Sequence, residues 1–425
     1  MLACAQTKLP DNGSFLLRGG TIHTISGPVI ENGSVLVRDG KIIGVGRNLP
    51  APDGAQVIDI AGEQVYPGMI DSASRIGLEK STEQGVTDAQ ELGLLNPQLN
   101  PVDAINPETD FIPATRANGV TSAMEMPEGE LISGQLSLIH MNGSNNDAIT
   151  VAPKLAVHLK FPAIETMPIP SRDDIDDDED EPATAVDREP VPYSIAKKDF
   201  DAKMKELNDF FGAARRYMKS KAARPDRRYE AMMPVLEGRE PMFVTAVRER
   251  EIRDAIAFAD RQKIRIVLAD AYEAYKVLPL IKSHNIPVVL GPTLSLPLNE
   301  DDPYDRSYTT PGALYKAGIR FSIGTFSAKS TRNLPYQAAA AVPFGLPKDE
   351  AYKAVSLNAA EIFGLGKRLG SVDEGKVADL IVTDGDPLEA TTHVKMVFID
   401  GKPADLRTRQ QMLYEKYMAR PDSKD

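Results

Sequence analysis

An α/β fold, in which a barrel of strands and helices is joined to a small β-rich unit, is predicted by three features of the sequence. Both ends of the chain read as short strands joined by tight turns. The long middle alternates strand-like and helix-like segments, which is typical of parallel βα units. The length of 425 residues is enough for one large barrel and one smaller domain.

The β-rich ends carry matching turn signals. Asp39-Gly40 and Asp400-Gly401 each lie between two apolar strand-like runs, and Asp-Gly is a strong signal for a two-residue hairpin turn. Because the same pattern of short strands and tight turns occurs at both ends, we expect residues 14–65 and 366–407 to form one small composite β-sandwich. Residues 1–13 are predicted to be an N-terminal tail, and residues 408–425 a C-terminal helix or tail.

The middle of the chain, residues 66–365, is predicted to form a (β/α)8 TIM-like barrel. A helix is predicted over 248–262, where Ile252, Ala255 and Ile256 recur at helical spacing. A second, basic amphipathic helix over 195–221 is predicted to cover the barrel. The candidate barrel strands are 120–124, 155–159, 242–247, 264–268, 287–290 and 320–324.

An acidic insertion interrupts the barrel pattern at residues 170–190. Eight acidic residues lie between Asp173 and Glu181, with prolines on both sides. Like charges at this density repel one another, so a mobile loop is predicted. A calcium site is the alternative, but the run lacks the glycine-turn spacing of a calcium loop.

Composition limits the partners and the compartment. The net charge of −12 and the pI of about 5.1 argue against nucleic acid and anionic membranes as partners, and no apolar run is long enough to span a membrane. The single cysteine, Cys4, excludes an intrachain disulfide and a cysteine-based metal site. Ala3-Cys4-Ala5 has the spacing of a signal-peptidase site. We therefore expect an exported, periplasmic protein with a signal-peptide remnant, and a cytoplasmic protein with an ordinary N-terminus is the alternative.

The segment Pro67-Gly68-Met69-Ile70-Asp71 closely resembles the first barrel strand of the amidohydrolase superfamily, which usually reads P-G-[LM]-I-D-x-H-x-H. In this chain Ala73 and Arg75 stand at the two histidine positions. A methyl group has no lone pair to donate, and a guanidinium is a permanent cation that cannot bind a metal. The chain is therefore expected to retain the scaffold of an imidazolonepropionase-like amidohydrolase and to lack its metal centre.

The resemblance extends to the C-terminal part of the chain. Residues 358–365 read N-A-A-E-I-F-G-L, and residues 370–382 read G-S-V-D-E-G-K-V-A-D-L-I-V. This pair of segments is close to diagnostic of amidohydrolases. It implies a return from the last barrel helix into the composite β unit, so it supports the fold and not the chemistry.

The resemblance also implies where metal ligands would lie: two histidines after strand 1, a lysine or glutamate on strand 4, a histidine on each of strands 5 and 6, and an aspartate on strand 8. Strands 1, 5, 6 and 8 lack their usual ligands, and on strand 4 Lys160 is a candidate, but a lone lysine is no metal site, so no metal and no other cofactor is expected. The positions that correspond are Ala73, Arg75, Lys160, Thr245 or Val247, Asp270 and Phe326. The five histidines of the chain (His23, His140, His158, His284 and His393) are interpreted as structural or surface residues.

Two functions stay open at this point. The first is a non-catalytic binding or structural homologue of hydrolases that act on non-peptide C–N bonds. The second is a metal-independent hydrolase of cyclic amides or amidines that uses the same pocket, with Asp270 or Glu273 as general base and Arg75 polarising a carbonyl. A small-molecule ligand is the expected partner in both cases, and a homodimer is a further expectation.

The vacated metal site also gives a structural prediction. A buried guanidinium and a buried carboxylate are each costly alone, so Arg75 is predicted to pair with Asp270, or with Glu273 if the strand is shifted by one turn. The alternative is that Arg75 reaches toward solvent and pairs with a surface acid such as Glu79.

Overall fold

The computed structural model describes residues 13–78, 92–166, 190–220, 224–299 and 301–419. Three of the features discussed above lie outside these residues: the Ala3-Cys4-Ala5 segment, the acidic run between Asp173 and Glu181, and Glu79. Across the described ranges, no helix is both long and apolar enough to cross a membrane.

Sixteen strands and eleven helices lie in the part of the chain that the structure describes. The strands are β1 (Phe15–Ile22), β2 (Ile30–Arg38), β3 (Lys41–Arg47), β4 (Gln56–Asp59), β5 (Gln64–Pro67), β6 (Met69–Ser74), β7 (Val120–Glu125), β8 (Ile132–His140), β9 (Thr150–Lys160), β10 (Met242–Thr245), β11 (Ile266–Asp270), β12 (Val288–Leu290), β13 (Phe321–Ile323), β14 (Leu380–Thr383), β15 (Val394–Ile399) and β16 (Lys402–Pro403). The helices are α1 (Phe111–Ala117), α2 (Asn146–Ile149), α3 (Tyr193–Lys219), α4 (Arg227–Leu236), α5 (Glu249–Gln262), α6 (Leu278–Ser283), α7 (Arg306–Ala317), α8 (Leu334–Ala340), α9 (Lys348–Ala354), α10 (Leu357–Ile362) and α11 (Arg409–Met418).

The two ends of the chain form one eight-stranded sheet, as the fold prediction required. Its strand order is β16-β15-β14-β5-β1-β2-β3, with β4 beside β1. Strand β5 from the N-terminal part pairs antiparallel with β14 from the C-terminal part, so that Val65 lies opposite Val382. The two predicted hairpin turns contact each other, because a Cβ added to Gly401 would lie 2.6 Å from the Cα of Gly40. Both glycines also have positive φ angles, so both turns need glycine.

The barrel is a second eight-stranded sheet with the order β13-β12-β11-β10-β9-β8-β7-β6. It closes between β6 and the end of β13, where the backbone N–H of Phe326 donates to the carbonyl oxygen of Ala73 at 2.7 Å. The fold prediction of a barrel plus a composite β unit is therefore confirmed.

One strand differs from the predicted parallel series. Strand β8 runs antiparallel to both β7 and β9, and the sequence analysis did not identify it as a strand. Only residues 126–131 connect β7 to β8, which is too short for the crossover helix that a parallel connection needs. A connection of this length fits a hairpin, in which β8 runs antiparallel to β7.

The barrel carries two apolar layers. Inside the barrel, side chains that include Ile70, Phe243 and Val267 form a closed core. Outside it, helices pack on the strands, and Phe211 of α3 meets Phe258 of α5 edge to face at a centroid distance of 5.3 Å. The predicted helix over the barrel is therefore present as α3.

Candidate active site at the barrel mouth

The residues that stand at the expected ligand positions lie at the carboxyl ends of the barrel strands. Ala73 is near the end of β6, Lys160 and Thr245 end β9 and β10, Asp270 ends β11, and Phe326 follows β13. This end of a (β/α)8 barrel is where active sites of the fold are built. The structure therefore places these positions around one mouth.

Two of these positions are joined by an apolar contact. Ala73 is fully buried and Phe326 is 4% exposed, and both belong to the core inside the barrel. Gly324 lies between them, because a Cβ at that residue would lie 2.8 Å from the Cβ of Ala73 and 3.1 Å from the ring of Phe326. These two positions would supply a nitrogen and a carboxylate to a metal, and in this chain both belong to the buried apolar core inside the barrel.

Arg75 forms an ion pair with Glu128, and the shortest distance between the guanidinium and the carboxylate is 2.5 Å. The pairing of Arg75 with Asp270 stays a prediction, whereas Glu273 is engaged elsewhere. The Glu273 carboxylate instead accepts from the Lys276 ammonium at 2.7 Å and from the backbone N–H of Glu249 at 2.7 Å.

The backbone around Asp270 departs from a regular strand. Val267 and Ala269 of β11 face the barrel interior, whereas Leu268 belongs to the layer under the helices. Strand alternation places Asp270 on the same side as Leu268. The chain then bends sharply, with φ of +64° at Asp270 and +22° at Ala271. Sequence spacing alone could not reveal this bend.

His158 and Thr245 form a hydrogen-bonded pair that the sequence analysis treated as unrelated residues. His158 Nε2 lies 2.9 Å from Thr245 Oγ1, and His158 Nδ1 lies 2.9 Å from the carbonyl oxygen of Pro127. A carbonyl oxygen can only accept, so Nδ1 carries the proton and Nε2 accepts from the threonine hydroxyl. Burial, together with the charges of Arg75 and Lys160, lowers the pKa of His158 to about 4, although the hydrogen bond to Pro127 opposes this shift. The imidazole is therefore neutral at pH 7.

A signal for this pair is present in the sequence. The register of β9 and β10 places His158 opposite Phe243 and Lys160 opposite Thr245. Residues two apart on a strand share a face, so His158 and Lys160 belong to the same face of β9. Aligning the two strands as parallel neighbours would have brought the histidine next to the threonine. Val247 lies beyond β10, and its backbone N–H donates to Glu251 at the start of α5.

A buried polar cluster lies beside the mouth, where β6, β7 and β13 meet. Asp71 is fully buried and accepts hydrogen bonds from Thr325 Oγ1 at 2.5 Å, from Thr325 N at 3.0 Å and from Ala73 N at 3.1 Å. Burial raises the pKa of Asp71 to about 7, although these hydrogen bonds oppose the rise. The sequence analysis did not identify Asp71 as a residue with a perturbed pKa.

Glu125 is the second carboxyl group of this cluster. It is fully buried, and neither of its carboxylate oxygens has a hydrogen-bond partner among the described residues. The nearby Ser74 hydroxyl bonds to Thr331 instead, at 2.9 Å. Burial raises the pKa of Glu125 well above its ordinary value, and the charge of Asp71 raises it further. Burial therefore favours the protonated form of Glu125.

The side chains at the mouth do not fit a catalytic metal. Ala73 and Phe326 offer no donor atom, Arg75 is a cation already paired with Glu128, and the Nε2 lone pair of His158 is occupied by a hydroxyl. Within the described ranges, no group of three or more histidine, cysteine or acidic side chains is arranged to hold a metal ion.

Comparison with known proteins agrees with the fold. The sequence profile described as the amidohydrolase family matches residues 243–404. The chain is 23% identical over 409 residues to the amidohydrolase tasK of Hapsidospora irregularis, an alignment that covers 87% of this chain and 39% of that protein. It is 32% identical over 137 residues to the imidazolonepropionase of Thermoplasma volcanium, covering 31% of this chain and 33% of that protein. The chain thus spans well under half the length of each of these relatives.

A solved structure matches over nearly the whole chain. The crystal structure of an amidohydrolase from Thermotoga maritima superimposes with a TM-score of 0.77 at 25% sequence identity, and the match covers 92% of this chain and 100% of that one. This match includes both the barrel and the composite sheet. The chain belongs to the amidohydrolase superfamily.

Proposed function

We propose that this protein binds a small polar molecule at the barrel mouth and does not carry out metal-dependent hydrolysis. The observation that carries the proposal is the closed contact between Ala73 and Phe326, which occupies two positions where metal ligands would converge. A metal placed there would face a methyl group and an aromatic ring. Both are apolar, so the cost of removing the ion from water would not be offset.

The charges at the mouth support a polar ligand. Lys160 is exposed and Thr245 is half-buried. The Arg75–Glu128 pair is also partly accessible, with side-chain exposures of 15% and 24%. An ammonium and a hydroxyl side by side favour a ligand that presents carbonyl or carboxylate oxygens, such as a cyclic amide.

The test measures metal binding and ligand binding separately. Purified protein is incubated with zinc or manganese, desalted and analysed for metal, and we expect far less than one equivalent per chain. Thermal unfolding is then followed with a panel of cyclic amides and carboxylates. A compound that raises the Tm of the parent, and raises it less in Lys160→Gln, supports the proposal. Stoichiometric metal that resists desalting, or no stabilising compound, would contradict it.

A specific observation favours a second function, hydrolysis without a metal. The Thr245 hydroxyl, the His158 imidazole and the Pro127 carbonyl form the nucleophile, base and orienting group of a hydroxyl–histidine system. The geometry favours this system over Glu273 as base, because both Glu273 oxygens already accept hydrogen bonds.

The reaction would proceed through an acyl-threonine. Thr245 Oγ1 attacks the substrate carbonyl carbon as its proton passes to His158 Nε2, and the leaving amine or alcohol takes that proton as its bond to the carbonyl breaks. Water then attacks the acyl group, with His158 accepting a proton from the water and returning it to Thr245. The low pKa of His158, about 4, makes it a weak base, so this route is expected to be slow.

Esterase assays with p-nitrophenyl acetate discriminate between the two functions. The second function predicts a slow release of nitrophenol that Thr245→Val abolishes and that Thr245→Ser retains. It also predicts a rate that rises with pH through about 4, where His158 loses its proton, and is level near neutrality. Equal rates in the parent and Thr245→Val would exclude this function and leave ligand binding as the proposal.

A further inference from the structure

A large cleft lies at the end of the barrel opposite the mouth. Its volume is about 1420 Å³, and its lining comes from the segments that lead into β11, β12 and β13 together with α9, α10 and the residues that follow. None of the residues at the expected ligand positions, and neither His158 nor Glu128, lines this cleft. The two regions are therefore separate parts of the barrel.

The charge of the cleft is opposite to that of the protein. Six cationic side chains and four acidic ones line it, whereas the whole chain has a net charge of −12. The cations are Lys154, Arg239, Arg265, Lys282, Arg320 and Lys353. A positive concave surface on an acidic protein focuses a field that attracts anions.

Part of this positive charge is not neutralised by neighbouring acids. Arg320 pairs with Glu361 at 3.6 Å and Lys353 pairs with Glu350 at 3.8 Å. In contrast, Lys154, Arg265 and Lys282 form no ion pair with an acidic side chain of the described residues, and all three are exposed. Holding three such cations around one cleft has a repulsive cost that a bound anion would remove.

The acidic side chains of the lining do not cancel this charge, because six cations face four acids. The balance of charge in the cleft therefore stays on the positive side.

Much of the remaining lining is apolar. Ile264, Ile286 and Ile319 are contributed by the segments that precede β11, β12 and β13. Tyr315 of α7 adds an aromatic ring with an exposed fraction of 41%. A rim of cations around an apolar floor suits a ligand with an anionic group and an apolar body.

We infer that this cleft is a second binding site, which takes an amphipathic anion. The uncompensated cations Arg265, Lys282 and Lys154 hold its charged group, and the isoleucine floor with Tyr315 holds its apolar body. This site is independent of the function proposed for the mouth, and it needs neither a metal nor the Thr245–His158 pair.

The probe for the test is 8-anilinonaphthalene-1-sulfonate, which combines a sulfonate with aromatic rings and becomes fluorescent in an apolar site. We expect the full-length protein to bind it with saturation near one equivalent. Arg265→Gln and Lys282→Gln should each weaken binding by about fivefold, because each removes one attractive charge. Lys402→Gln, an exposed site in the composite sheet, is the matched control and should bind like the parent.

Competition tests the class of ligand. Octanoate should displace the probe, whereas inorganic phosphate and octanol at the same concentration should not. Phosphate has the negative charge without an apolar body, and octanol has the apolar body without the charge. Displacement by phosphate or octanol alone would overturn the amphipathic assignment. Equal affinity of the parent, Arg265→Gln and Lys282→Gln would overturn the site, and so would absence of saturable binding. The Lys160→Gln variant tests the mouth alone, so its result shows whether the function proposed for the mouth fails independently of this cleft.

Discussion

Replacing Asp71 by asparagine should make the protein more stable at neutral and alkaline pH. Asp71 is fully buried, and burial raises its pKa from 3.8 to about 7. A group whose pKa is higher in the folded than in the unfolded state stabilises the fold below its unfolded pKa, and this stability is lost as the pH rises through the folded pKa. The carboxylate is thus a destabilising charge above pH 7.

The magnitude follows from the shift. About three pKa units at 1.36 kcal/mol each correspond to about 4 kcal/mol between the protonated and the ionised limits. Asparagine has the same shape and cannot ionise. Its carbonyl oxygen can accept from the N–H groups of Ala73 and Thr325, and its amide can donate to Thr325 Oγ1, which can in turn donate to the Ser327 carbonyl at 3.2 Å. We therefore expect little change at acid pH and a gain of up to about 4 kcal/mol at alkaline pH.

The assay is urea unfolding of the parent and Asp71→Asn, followed by circular dichroism, from about pH 5 to about pH 8. Other groups also titrate in this range, including His158, whose lowered pKa gives the opposite slope. The difference between parent and variant cancels the contributions of groups that do not interact with Asp71, whereas Glu125, whose pKa the charge of Asp71 raises, adds to the difference. Asp53→Asn, at an exposed position, is the control and should leave the curve unchanged. Parallel curves for the parent and Asp71→Asn would refute the reasoning.

Two further predictions concern barrel closure and the joint between the two domains. Gly324→Ala should lower the free energy of unfolding by about 1–3 kcal/mol, because the added Cβ would lie 2.8 Å from the Cβ of Ala73. The control is Gly46→Ala, whose added Cβ would have its nearest neighbour at 3.9 Å and which should change the free energy of unfolding by less than about 1 kcal/mol. Calorimetry of the two variants makes the comparison. Asp379→Asn should destabilise by about 3 kcal/mol near pH 6, because it breaks the buried pair with His140 at 3.0 Å. Burial alone would lower the pKa of His140, but the charge of Asp379 raises it overall. The loss of stability in Asp379→Asn should therefore be largest below the ordinary histidine pKa of 6.5, and it should shrink as the pH rises through the raised pKa of His140. Equal losses at both ends of that pH range would contradict the assignment.

The features that the sequence predicted well are local ones. The Asp39-Gly40 and Asp400-Gly401 turns depend on two residues with positive φ, and such dipeptides can be recognised without knowing the rest of the fold. Most of the predicted barrel strands combine a short apolar run with a following helix, which made them predictable. Strand β8 was missed because it lacks a crossover helix, and the rule that found the other strands depends on one.

The partners at the mouth were not predictable in the same way. The absence of metal ligands could be read directly from Ala73 and Phe326, because it depends only on residue type. The ion pair between Arg75 and Glu128 depends instead on the turn that carries Glu128. The bond between His158 and Thr245 depends on the register of two strands far apart in the sequence. Pairings between distant residues need three-dimensional information that spacing does not contain.

The parts of the family motifs that this chain retains have structural roles. Gly68 has no room for a Cβ against Thr121, and its N–H donates to the Asp379 carbonyl at 2.8 Å, which joins the barrel to the composite sheet. Asp71 ties β6 to Thr325 after β13 and so helps to close the barrel. The positions that differ from the motifs are those whose role would be to bind a metal, and there Phe326 has become part of the core. Folding and metal binding therefore depend on different residues of the same motifs, which is why the barrel can persist while its mouth acquires another chemistry.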